Sequence, residues 1–231
     1  PPTFEDERLA LGRRLLGTLK DAFYPRATAP GFALSRIERA MPFFLMTFLP
    51  LGALAGVIPF TRTLLFEPVL QVKRIGDPSD LEVALDLARA MTAHLALIGV
   101  VLLALALPYL TLSRSYGRPG AMNAAACMML YRAWLLPTVS LATFGVVWAV
   151  PAYEIAQVMI VLVYLPCLIL LAYSMWFTAL HAGGIRWYLA LAVCGVPWVL
   201  AIVVSDIAAQ TLVTWLDLPL PEAEPGTWGR I

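Results

Sequence analysis

The stretch AMPFFLMTFLPLGALAGVIPF, residues 40–60, decides the fold: it runs for twenty-one residues without a charge. A hydrocarbon core needs about 20 apolar residues to be crossed by a helix. Residues 40–60 therefore read as a membrane span, with Pro42 and Pro50 inside it. Working outward, four more apolar runs of comparable length follow, and the chain is expected to be an all-α polytopic membrane protein with five transmembrane helices. Its composition agrees, with 61% hydrophobic and 13% charged residues where a soluble domain has about 25% charged.

The second span follows Ser79-Asp80-Leu81-Glu82, a capping-box pattern in which Ser79 caps the helix and Glu82 reaches back to its N–H. That helix is predicted from there to about residue 112, the longest of the five because its start lies outside the hydrocarbon. Spans three, four and five are predicted within 121–150, 155–180 and 187–204. Three units result: an N-terminal segment over 1–39, a bundle over 40–208, and a tail over 209–231 whose Pro219, Pro221 and Pro225 predict extended chain.

Orientation follows from Lys and Arg near the span ends. Ten fall on the N-terminal side, among them Arg8, Arg13, Arg14, Lys20, Arg26, Arg36 and Arg39 before span one, and five on the other. The N-terminus is expected in the cytoplasm. Within the N-terminal segment, Leu15, Leu16, Leu19, Ala22 and Phe23 repeat at helical spacing between Arg13, Arg14, Lys20 and Asp21. This predicts an amphipathic helix, lying either in the inner leaflet's interface or on the bundle's own loops. Residues 1–39 contain no apolar core of a signal peptide.

The net charge of +1 removes the case for nucleic-acid binding by a basic surface. Cys127, Cys167 and Cys194 stand in apolar runs without CxxC spacing or a neighbouring His cluster, so neither a zinc site nor a disulfide framework is expected. No P-loop, nucleophile elbow or HExxH occurs, and no cofactor, metal or catalytic residue is expected.

Ionisable residues inside spans are costly and functional by default. Arg132 is the main candidate, fourteen residues beyond Arg118. It either snorkels to phosphate or binds an anionic lipid or an acidic partner residue, and a kink near Pro137 or an interfacial stretch before it would lift it toward the headgroups. Arg114, Arg118, Arg132 and Arg186 are expected to form a basic collar for lipids or partner subunits on the N-terminal side. His94 reads as a polar-edge histidine or a proton relay. Glu154 and Asp206 have no second carboxylate beside them for acid–base work. Gly52 and Gly56, in small-xxx-small register, offer a helix-packing face to a partner or to the bundle.

Residues 173–207, YSMWFTALHAGGIRWYLALAVCGVPWVLAIVVSDI, resemble the last two spans of the Yip1 domain family: a Trp-bearing span (Trp176), a Gly/His turn (His181, Gly183, Gly184), then Arg186 and a mid-span Pro197. Tyr131 to Pro137 resembles the family's Tyr followed by Pro early in span three, and Tyr24-Pro25 its entry to span one. The resemblance implies five spans with a cytoplasmic N-terminus, and for eukaryotic members association with Rab GTPases. Fourteen Arg against two Lys, with abundant Ala, point instead to a GC-rich bacterial genome and the inner membrane. The expected function is a non-enzymatic adaptor or accessory subunit that binds membrane lipids and other membrane subunits. A small carrier or channel with a polar path near Arg132 and His94 is the alternative. Five spans without an internal repeat or an acidic residue mid-span argue against a coupled transporter.

Overall fold

The computed structural model describes residues 2–66, 80–149 and 153–215. It is 87% helical, with no strand among the described residues. Eight α-helices are described: α1 (Leu11–Asp21), α2 (Pro25–Thr28), α3 (Ile37–Phe66), α4 (Asp80–Tyr116), α5 (Ala121–Arg132), α6 (Leu135–Ala149), α7 (Tyr153–Phe177) and α8 (Trp187–Trp215). Two 3-10 turns, Thr3–Glu5 and Ala29–Ala33, and a π-helical turn, Thr178–Ala182, complete the path.

Five helical segments are long and apolar enough to cross a membrane, and the chain is a multi-pass membrane protein. Spans one, two, four and five lie on α3, α4, α7 and α8; span three is shared by α5 and α6. With 37 residues α4 is the longest, as its start outside the hydrocarbon predicts. The capping residue Ser79, the Glu82 side chain, Glu154 and residues 216–231 of the tail lie outside what is described.

The third span is central. It is 72% buried inside the protein, against 17–39% for the other four. Around it α3 packs on α4 and α6, α4 runs along α8, and α6 lies on α7. Leu105, Tyr109, Met128, Tyr131, Leu171 and Met175 fill the core. One polar bond ties its walls together: the Tyr109 hydroxyl donates to the Met175 carbonyl at 2.8 Å. Hydroxyls of Thr47, Thr138 and Ser174 donate to carbonyls four residues earlier, so they carry no unpaired group into apolar surroundings.

Span three is not one straight helix. Its ladder breaks at Ala133–Trp134, four and three residues before Pro137. Proline lacks an N–H and its ring clashes with the carbonyl four residues earlier, here that of Ala133. The Ala133 carbonyl instead accepts from Leu136 N in a tight turn at 3.1 Å. The kink anticipated near Pro137 therefore opens directly after Arg132.

Gly52 and Gly56 are committed inside the chain. A Cβ on Gly52 would stand 2.6 Å from Leu95 Cδ2, and one on Gly56 would stand 3.0 Å from both the Ala90 carbonyl oxygen and Met91 Cα. The small-residue face thus seats α3 on α4 and is not available to another chain.

Candidate functional site

The N-terminal residues fold onto one end of the bundle as a cap. Pro25 and the extended Tyr24 end α1, Pro25 also opens α2, and the chain then turns through Ala29–Ala33 into α3. Thr18 and Ala22 of α1 are buried, with Leu15 and Leu19 partly buried beside them. The 3-10 turn folds back on α1: Phe4 N donates to Thr18 Oγ1 at 2.7 Å, and Thr3 donates through N and Oγ1 to Asp21 Oδ2 at 3.1 and 2.8 Å. Gly17 makes this approach possible, since a Cβ there would lie 2.5 Å from Thr3 Cγ2. Arg14 Nε donates to the Phe4 carbonyl at 2.7 Å, with its guanidinium carbon 4.7 Å from the Phe4 ring centre.

Phe4 then enters the bundle. Its ring meets Phe43 edge-on at 5.2 Å between centroids and Tyr131 at 6.5 Å, while Phe32 stacks on Tyr131 from another side at 6.2 Å. The Tyr131 hydroxyl donates to Glu5 Oε1 at 3.1 Å. Glu5 is itself buried, so a carboxylate from the first residues is held against the central span.

Arg132 closes the arrangement. Its side chain is 1% exposed. Nη1 donates to the Thr18 carbonyl at 3.4 Å, and Nη2 donates to the Asp21 carbonyl at 2.9 Å and to Thr28 Oγ1 at 3.1 Å. The guanidinium carbon stands 5.5 Å from the Phe32 ring centre, within range of a cation–π attraction. Both carbonyls belong to the last turn of α1, where helix carbonyls lack intrahelical donors and the dipole is negative. Arg132 is thus a C-terminal cap for α1, supplied from another helix.

Arg132 therefore departs from the collar in which it was placed with Arg114, Arg118 and Arg186. Those three are exposed, and two of them sit where the loops after α4 and after α7 interlock. Arg118 N donates to the Gly183 carbonyl at 2.8 Å. The Arg118 side chain lies over Gly184, whose φ of +62° and lack of a Cβ permit the contact. Arg186 Nη1 donates to the Tyr188 hydroxyl at 3.0 Å, a bond that favours its charged form and raises its pKa. Asn123 Nδ2 donates to the Ser35 carbonyl at 2.9 Å and brings the cap beside these loops. Arg39 pairs with Glu7 at 3.4 Å, an exposed pair worth about 0–1 kcal/mol.

His94 lies elsewhere, on the face of α4 that meets Gly56. Cys127 and Cys194 are buried and Cys167 partly so, and no group of three His, Cys, Asp or Glu side chains suited to a metal ion occurs among the described residues. Sequence reasoning missed Phe4, Glu5, Thr18 and Tyr131 as parts of one site. A lone aromatic at Phe4 in a charged stretch was the available signal. Compared with protein-family models, with curated proteins and with solved structures, the chain matches none.

Proposed function

We propose that the protein is a non-enzymatic integral-membrane adaptor or accessory subunit, whose N-terminal end binds partner subunits and anionic lipid. The observation that carries this reading is the cap: the first 35 residues are built onto the bundle by bonds to its central helix, and they present Arg13, Lys20, Arg26 and Arg36 outward. Arg114, Arg118 and Arg186 extend the same positive surface. The distribution of Lys and Arg supports a cytoplasmic N-terminus, and the arginine-rich composition supports a bacterial inner membrane. The Yip1-like pattern of spans four and five fits a membrane-scaffold role. A carrier or channel path past Arg132 and His94 has less support, because the two face different neighbours: Arg132 the cap, His94 the α3 helix.

Extraction into a lipid-retaining polymer followed by native mass spectrometry tests the reading. A stoichiometric second subunit and bound anionic lipid are expected, both reduced when Arg114, Arg118 and Arg186 are replaced by Gln. A protein that travels alone and shows no preference among lipids overturns it.

A further inference from the structure

The cap has a second side. With 3.6 residues per turn, Thr18 and Ala22 mark the inner face of α1, and Arg13, Leu16 and Lys20 fall together on the opposite one. Leu16 is 69% exposed, and beyond the helix end Phe23 and Tyr24 are 61% and 58% exposed. Phe23, Tyr24, Pro25, Arg26 and Ala27 line an open cleft of about 540 Å³. Apolar and aromatic side chains flanked by cations are what an amphipathic helix presents to an anionic bilayer surface, with aromatic rings at headgroup level.

Position on the bundle selects the partner. The α2 helix, which carries Arg26, packs on α7, and α7 is a spanning helix whose Leu165, Ile169 and Tyr173 are exposed. The cleft is therefore on the flank of the bundle, beside the lipid, and not over its aqueous end. The length of α3 agrees: 30 residues extend about 45 Å where the hydrocarbon is about 30 Å thick, so part of the bundle stands at headgroup level and the cap is tied to that part. Arg132 and Glu5 hold the inner side in place, which fixes the direction in which Leu16 and Phe23 point.

We propose that the outer side of the cap is a docking surface for anionic phospholipid, with Leu16, Phe23 and Tyr24 inserted at the top of the acyl chains and Arg13, Lys20 and Arg26 on the headgroup phosphates. The proposal rests on the reading of this end as the lipid- and partner-binding end, and it names the lipid-binding face. The chemistry required of the ligand is a phosphate carried on a hydrophobic chain; a free phosphate satisfies only the cations and leaves the three apolar side chains in water.

The test uses the full chain in nanodiscs of phosphatidylcholine with or without phosphatidylglycerol. An environment-sensitive fluorophore is attached at Leu16→Cys or Phe23→Cys and challenged with lipids carrying a nitroxide near the headgroup, or with aqueous iodide. Quenching by the lipid nitroxide and protection from iodide are expected. Replacing Arg13, Lys20 and Arg26 by Gln should lower the enrichment of spin-labelled phosphatidylglycerol around the protein by about fivefold per cation, while α1 amides keep their protection from hydrogen exchange. Quenching by iodide in both lipid mixtures overturns the proposal, as does protection from both quenchers, which identifies a protein covering the face. Enrichment that survives the triple replacement overturns the assignment of the cations. Lipid quenching without a co-purifying subunit upholds this surface while removing the adaptor reading; a co-purifying subunit with iodide-quenched probes does the reverse.

Discussion

Replacing Arg132 by Met removes the cap of α1 while nearly preserving the volume of the side chain. The Thr18 and Asp21 carbonyls lose their outside donor, and a buried acceptor left unsatisfied costs about 1–3 kcal/mol. Thr28 Oγ1 adds little, because it still donates to the Tyr24 carbonyl at 3.1 Å. The gross loss is about 2–6 kcal/mol. Against it stands the desolvation of a guanidinium that is 1% exposed, which Met does not incur, and apolar replacement of buried charges recovers about 1–4 kcal/mol in measured cases. Geometry decides the balance. The Arg132 charge has strong carbonyl partners at the negative end of a helix, so a net loss of about 2 kcal/mol is expected, roughly thirtyfold in the opening equilibrium of the cap. Hydrogen exchange of the full chain in nanodiscs reads this directly: amides of α1 should exchange some thirtyfold faster in Arg132→Met, while those of α4 and α8 are unchanged. Equal protection of α1 in the two proteins would refute the capping argument.

Three further perturbations probe the joints around it. Gly56→Leu forces side-chain atoms against the backbone of α4 at Ala90 and Met91 and should lower stability by about 1–3 kcal/mol or more, seen as a lower thermal midpoint in detergent with any partner association retained by the surviving fold. Gly184→Ala meets both a positive φ and the Arg118 side chain; a thermal double-mutant cycle with Arg118→Ala should be non-additive, the second change recovering the steric part but not the roughly 1–2 kcal/mol of backbone strain. Tyr109→Phe loses the bond to Met175 and should cost about 1 kcal/mol, measurable by the same denaturation.

The five spans were legible because the code for crossing a membrane is local: about 20 apolar residues in a row suffice, whatever packs against them. Pro137 announced the kink for the same reason, since its clash reaches only four residues back. The cap was half legible. Periodicity over residues 15–23 marked a helix, and Pro25 marked its end, but the partner that orders this helix is 111 residues away at Arg132. No local pattern encodes such a pairing. Cost arguments did single out Arg132, because a cation near the hydrocarbon needs an acceptor. They could not tell a phosphate from a helix terminus, since both offer oxygens with negative charge. The small-residue register of Gly52 and Gly56 was equally ambiguous, as close helix approach obeys the same sterics within a chain and between chains.

The long separation between Arg132 and α1 also sets an order of events during synthesis. At about 5–20 residues per second, the 111 residues between Asp21 and Arg132 take roughly 6–22 s to be made. For that interval α1 exists without its cap, and Phe4 and Glu5 exist without Tyr131, which follows Glu5 by 126 residues. Two spans are already in the membrane before the first segment has anywhere to dock. Its closure onto the third span therefore reports that insertion has proceeded past the midpoint of the bundle in the correct orientation. A chain whose third span enters upside down carries Tyr131 and Arg132 away from the segment that needs them, leaves its earliest residues undocked, and so displays its own topological error to the proteases that survey the membrane.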